Sequence, residues 1–456
     1  MDNNINKTFI LTLLILCGLL AMYFIPEIPL WEGKASRQVN LLSDIMENED
    51  SAKIKELEAK MEAALNIEDS VPEGVVPIID FVDDSTKVRQ MDNFYAKLDA
   101  LAKDTTGTAE PVRIAIYGDS YIQGDIMVEH LRDLLQDKFG GGGVGAVNIA
   151  CAHPGYRASV LQHSNGLTEY DMNNKEFKAA RQGLSCAYTY GNGSATYRTT
   201  DQTAFGIKHN GKAEHAIVYF APRGGATVSA AVNGGAMQQI YKGTSPEVQA
   251  VELNGPIENI TLNVSGGANT DFFFTSLESR GVVVDNFGVQ GASGMHLLGI
   301  SDQTFFSFAK ARKYDLVILE FGLNACSPGQ KNFTFYIDQM TKVIERYQKA
   351  FPDVSMLVFS ASDRAKRAPD GTLKTMNGVQ ELVLAQSDMA KNGKVAFWNL
   401  YKALTNEGGV ARLTELGEAQ KDYVHVNRKG GKRIAGLFYK AIITGYDNYK
   451  RRHPEE

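Results

Sequence analysis

The chain is 456 residues long, with 44% hydrophobic residues, 22% charged residues and a formal net charge of −6. That length exceeds one small core and calls for two or three folded units, and the composition is that of a globular chain, not a disordered or fibrous one. The acidic balance argues against a nucleic-acid surface, and the 43 glycines follow no collagen or linker repeat.

Thr8 to Ile25 form an almost unbroken apolar run. About 17–25 apolar residues cross a bilayer as a helix, so the run predicts a single span. A cleaved signal peptide is the competing reading, but no small-x-small site follows, and the chain continues Phe24-Ile25-Pro26-Glu27-Ile28-Pro29. The expectation is a signal anchor within residues 1–30, in an inner membrane, with the rest of the chain in the periplasm. Flanking charges (Lys7 before; Lys34 and Arg37 after) do little to set its direction. Residues 31–90 read as a charged helical stalk, with Leu41, Ile45, Ile54, Leu57, Met61 and Leu65 as its apolar stripe.

A helix is expected over 92–103. Pro111 then introduces a strand over 112–117 that runs into Gly118-Asp119-Ser120. Asp125 is placed to cap a following helix whose apolar side carries Ile126, Leu131, Leu134, Leu135 and Phe139. Gly140 to Gly143 end that helix and form no phosphate loop, since no Gly-Lys-Ser/Thr follows. From 156 to 280 helical periodicity gives way to short alternating segments between turns, among them Ala216–Phe220, Ala226–Ala230 and Ile260–Val264. This spacing predicts an inserted β-sandwich. Strands are expected again at 281–285, 315–320, 355–360 and 395–398, alternating with helices over 295–312, 332–350, 376–391 and 429–444. Residues 91–155 and 281–456 therefore form one α/β domain with a parallel sheet covered on both faces. In such folds functional groups collect beyond the carboxyl ends of the strands.

Four pieces carry chemistry. Ser120 offers a nucleophile, Gly291 (in Asn286-Phe287-Gly288-Val289-Gln290-Gly291) a backbone N–H, Asn324 (in Gly322-Leu323-Asn324) an amide, and Asp422 with His425 an oriented base. Ester cleavage through serine needs that set: an activated hydroxyl, a proton acceptor and oxyanion donors. Each piece alone is weak, because Gly, Asp, Ser and Asn are common turn formers. Their joint occurrence at strand ends carries the reading. Gly-x-Ser-x-Gly is missing, which disfavours the ordinary α/β-hydrolase elbow. The histidines are scattered without metal-ligand spacing, so neither a metal nor another cofactor is expected. His130 and His153 read as structural or solvated. Cys17 lies in the span, and Cys151, Cys186 and Cys326 remain, with a Cys151–Cys186 disulfide and free thiols both open. Most aromatics of the insert, Tyr188, Tyr190 and Tyr197 among them, read as core, while the insert as a whole reads as a glycan-binding or substrate-gating module.

With these pieces in this order, the chain resembles the SGNH (GDSL-type) hydrolase superfamily over most of 111–155 and 281–445. The resemblance implies a flavodoxin-like three-layer domain with Ser120 as nucleophile, His425 as base and Asp422 as its orienting partner. The Ser120 and Gly291 N–H groups and the Asn324 amide would form the oxyanion hole, with Gly294 the alternative glycine. The chain is more closely similar to envelope-bound peptidoglycan O-acetylesterases, which share the extended phrase Gly118 to Asp125 and an inserted sandwich like a carbohydrate-binding module. It departs from them at Tyr121, where His is expected, and at Cys326. The implied activity is serine-dependent removal of O-acetyl groups from an envelope polysaccharide, peptidoglycan foremost. An O-acetyltransferase using the same site and a membrane-tethered glycan-binding protein are the alternatives.

Overall fold

The computed structural model describes residues 29–30, 34–35, 69–81, 89–211, 213–368 and 371–454. The expected span Thr8–Ile25 and the stripe from Leu41 to Leu65 lie outside the described residues, among which no helix is long and apolar enough to cross a membrane. The chain divides into two units, Met1–Ala63 and Ala64–Glu456. In the first, β1 (Pro29–Leu30) pairs antiparallel with β2 (Lys34–Ala35).

The second unit begins with β3 (Ile78–Ile79), α1 (Asp92–Lys103), β4 (Val112–Gly118) and α2 (Val128–Phe139). Nine strands follow: β5 (Gly145–Asn148), β6 (Val160–Asn165), β7 (Asn192–Thr199), β8 (Ala213–Pro222), β9 (Ala226–Val232), β10 (Gln238–Gly243), β11 (Gln249–Ile257), β12 (Asn259–Gly266) and β13 (Thr270–Glu278). The α/β rhythm then resumes with β14 (Val282–Gly288), α3 (Asp302–Ala311), β15 (Leu316–Glu320), α4 (Thr334–Ala350) and β16 (Ser355–Phe359). A small hairpin, β17 (Ala365–Arg367) with β18 (Leu373–Thr375), leads to α5 (Val379–Asn392) and β19 (Ala396–Trp398). Three helices close the chain: α6 (Leu400–Asn406), α7 (Gly409–Glu415) and α8 (Arg428–Arg452).

The central sheet has the order β14-β4-β15-β16-β19-β3. Its neighbours are parallel except β3, which runs antiparallel to β19. Every residue of β15 and β16 is buried, as strands covered on both faces require. Helices α1, α2 and α8 form one layer; α3, α4 and α5 form the other. Counting the parallel strands in chain order, the sheet reads 2-1-3-4-5, so its direction of growth reverses between β4 and β15. A ligand crevice opens at such a switch point.

Three expectations need correction here. The stalk does not extend to residue 90: β3 joins the central sheet, Trp398 Nε1 donates to the Val76 carbonyl at 3.0 Å, and Asp69 pairs with Arg89 at 2.5 Å and Arg452 at 2.8 Å. The apolar pair Ile78–Ile79 finds a sheet edge that the local sequence cannot reveal. The expected 295–312 helix is two pieces, a 3-10 turn Met295–Gly299 and then α3, which Ser301 caps by accepting from Thr304 N. The third correction is Asp125. It is no helix cap but takes φ 64° in a turn before α2 and is fully buried. Its carboxylate accepts from Arg132, Arg157, Ser159 and Asn286 at 2.8–3.1 Å. Burial opposes its charge, but Arg132 and Arg157 outweigh that and hold it far below the usual carboxylate range.

The insert is built from two antiparallel sheets, β10-β9-β12-β7-β6 and β11-β8-β13-β5. They share a core that includes Tyr197, Val218, Phe220, Ile260, Leu262 and Phe272. The sandwich starts earlier than residue 156, because β5 pairs with β13 in the register Phe274↔Asn148. A four-residue strand after a glycine run is too short to display alternation. On its other side β13 faces the α/β domain, where Phe273 and Phe274 lie 5.0 and 5.8 Å from Phe308 of α3. Arg312, fully buried, donates to Asp285 of β14 at 2.9 Å and, within the insert, to Glu278 at 3.2 Å and Tyr219 at 3.1 Å. Cys151, Cys186 and Cys326 are free thiols.

Candidate active site

Ser120 stands two residues past the end of β4, half-buried, at the switch point of the sheet. Asp119 before it is 2% exposed. One of its carboxyl oxygens accepts from Tyr121 N at 3.0 Å, the other from Asn324 Nδ2 at 2.9 Å. The same Asn324 nitrogen donates to the carbonyl of Ala292 at 3.0 Å. Asn324 thus joins the Ser120 turn to the Gly291 turn. It is presented by the loop after β15, where Gly322 takes φ 140° and a Cβ would lie 2.9 Å from Gln386 Nε2. Only glycine suits that bend.

Gly291 is exposed, and a Cβ added there meets nothing within 4 Å. Gly294 is buried, and a Cβ there would meet Met340 Sδ at 2.6 Å. Packing therefore accounts for Gly294, while Gly291 faces open space. The backbone N–H groups of Ser120 and Gly291 donate to no acceptor among the described residues.

Asp422 and His425 occupy the loop before α8. Asp422 Oδ1 accepts from the Val424 and His425 N–H groups at 3.0 and 3.1 Å, and Oδ2 lies 2.6 Å from His425 Nδ1. Burial works against the Asp422 charge. The His425 ring and the two backbone N–H groups more than compensate, so its carboxyl lies below the usual range. Tyr121 fastens this loop beside the serine by donating its hydroxyl to the Val424 carbonyl at 2.5 Å. The four pieces are therefore brought to one end of the sheet.

Glu320, the last residue of β15, was not singled out from sequence. It is 3% exposed and in register with Gly118. Asp119 N donates to its Oε2 at 3.4 Å. Burial and the Asp119 charge push Glu320 well above its ordinary value. Burial likewise lifts Asp119 to about 6, against the pull of Tyr121 N–H and His425. The available signal was one charged residue ending an otherwise apolar strand.

His130 is buried beside Glu129, and burial lowers its pKa to about 4. His153 lies in an exposed loop, stacked on Tyr156 at 4.9 Å. Among the described residues no cluster of three or more His, Cys, Asp or Glu has the arrangement to hold a metal ion.

No family model matches the chain, and no curated protein matches it. Among solved structures it is similar to one described as "Peptidoglycan O-acetylesterase in action, 5 min", with TM-score 0.66 and 21% identity over 81% of this chain and 99% of that one. Far looser likenesses are a family two carbohydrate esterase from Cellvibrio japonicus, with TM-score 0.26 and 10% identity over 63% of this chain and 99% of that one, and the acetyl xylan esterase AlAXEase, with TM-score 0.27 and 16% identity over 35% and 80%. Nearly the whole of the first structure is thus matched, and the chain has its fold.

Proposed function

We propose that the protein is a serine esterase that removes O-acetyl groups from an envelope polysaccharide, peptidoglycan foremost. The observation that carries this reading is the Tyr121–Val424 hydrogen bond, which holds the Asp422–His425 loop against the Ser120 turn across 303 residues of chain. The fold shared with a peptidoglycan O-acetylesterase structure supports the same class of substrate.

In the proposed reaction His425 accepts the Ser120 proton as Oγ attacks the acetyl carbonyl, and Asp422 stabilises the imidazolium. The Ser120 and Gly291 N–H groups and the Asn324 amide receive the oxyanion. The bond from the acyl carbon to the sugar oxygen breaks, and that oxygen takes the proton from His425. Water then repeats the sequence on the acetyl-serine, releasing acetate. The apolar run Thr8–Ile25 supports membrane attachment with the catalytic domain on the periplasmic side, which protease accessibility in intact spheroplasts tests.

The deciding experiment measures acetate released from O-acetylated peptidoglycan, with O-acetylated xylan and the Ser120→Ala variant alongside. Serine-dependent release from peptidoglycan is expected. Release from xylan alone would transfer the activity to another glycan, and no release from either would refute the esterase reading.

A further inference from the structure

A cavity of about 110 Å³ lies between the insert and Gln123, Gly124 and Gly288 of the α/β domain, in the segment that follows Ser120. Val147 and Val160 give it an apolar wall, and Glu169 and Ser185 give it polar groups. Ser185 is 4% exposed, yet its hydroxyl has no hydrogen-bond partner among the described residues. An unpaired buried hydroxyl is unfavourable, so a partner from outside the chain is expected there. Glu169 accepts from Asn148 Nδ2 at 2.7 Å and from Ala152 N at 2.8 Å. Burial lifts Glu169 to about 7, and as the carboxylate each of its oxygens retains capacity for one further donor. Arg157, also in the wall, is engaged by Asp125 and the Ala146 carbonyl. Among the described lining residues no Lys and no other Arg is left to receive an anionic group. At the mouth Tyr156 is 55% exposed and stacked on His153.

We infer that this cavity receives the acetamido group of a 2-acetamido sugar in the glycan, with Tyr156 against the sugar ring. The inference rests on the glycan esterase reading and adds to it the feature recognised next to the scissile ester. An acetamido group carries the chemical types that complement this lining. Its N–H donates to Glu169, its carbonyl accepts from Ser185, and its methyl meets Val147 and Val160. A bare hydroxyl can pair with the polar groups but leaves the apolar wall unmatched.

The test is calorimetric binding of the full chain, carrying Ser120→Ala, to chitotetraose and to cellotetraose, which differ in acetamido against hydroxyl. Chitotetraose is expected to bind roughly tenfold more tightly, and Ser185→Ala and Glu169→Gln, added separately, are each expected to cut that preference severalfold. Equal binding of the two oligomers, or a preference untouched in both variants, overturns the inference. Acetate release, measured in parallel with Ser120 present, separates the two readings. A chitotetraose preference without serine-dependent release would remove the esterase and leave the subsite standing. Release without the preference would remove the subsite alone.

Discussion

Asn324 Nδ2 donates to Asp119 Oδ2 at 2.9 Å, across 205 residues of chain. With its second bond to the Ala292 carbonyl, both amide hydrogens are engaged inside the protein. In the proposed reaction the oxyanion therefore displaces or shares the Ala292 bond, while Asp119 keeps the amide oriented. Loss of one oxyanion donor costs about 2.7–4 kcal/mol of transition-state stabilisation, or roughly 10²–10³ in kcat. Asn324→Ala is expected to lose that much with little change in KM or thermal midpoint, and near-normal turnover in this variant would remove the residue from the site.

Tyr121 acts through the loop it holds. Tyr121→Phe keeps the ring and deletes the bond to Val424. A net hydrogen bond is worth about 0.5–1.5 kcal/mol, so kcat on 4-nitrophenyl acetate should fall roughly two- to tenfold while KM holds. Unchanged kcat would mean that the loop is kept in place by other contacts.

The Asp119–Glu320 pair makes stability depend on pH. Both carboxyls are raised in the fold, Asp119 to about 6 and Glu320 well above its ordinary value. A raised acid binds more protons folded than unfolded, so its stabilising contribution is complete below the unfolded pKa and is lost as pH rises through the folded one. Glu320→Gln removes one titrating group and retains a donor toward Asp119. Its thermal midpoint should fall less than that of the wild type between pH 5 and pH 8. Parallel curves would exclude Glu320 from that dependence.

Arg312 is the buried cation between insert and α/β domain, within 3.2 Å of Glu278 and 2.7 Å of Asp285. Arg312→Met leaves both acids buried without it, and removing one partner of a buried ion network costs about 3–5 kcal/mol. Denaturant unfolding should report a loss of that size. A change below ~1 kcal/mol would mean that other contacts, among them Phe308 and the Arg113–Glu278 pair, hold the insert without it.

The parallel sheet was legible because strands covered on both faces read as unbroken apolar runs, as in Leu316–Leu319. Ser120, Asn324 and the Asp422–His425 pair stood out as candidates because each sits in a short phrase where a strand ends or a helix begins. Glu320 and Tyr121 escaped because their roles depend on partners distant in sequence. Asp125 was misread for the same reason: a carboxylate before a helix suits a cap, and only the approach of Arg132, Arg157 and Asn286 makes it a buried ion-pair centre.

Local sequence alone determined the alternation of strands and helices, the presence of a β-rich insert and the candidate residues for the proposed chemistry, since periodicity and turn propensity act over a few residues. Tertiary structure decided which glycine faces open space, where the sandwich begins, that residues 69–81 belong to the domain, and how the insert comes to wall a cavity beside Ser120. Those features arise from burial and from hydrogen bonds between segments remote in the chain, and no local pattern encodes such distances.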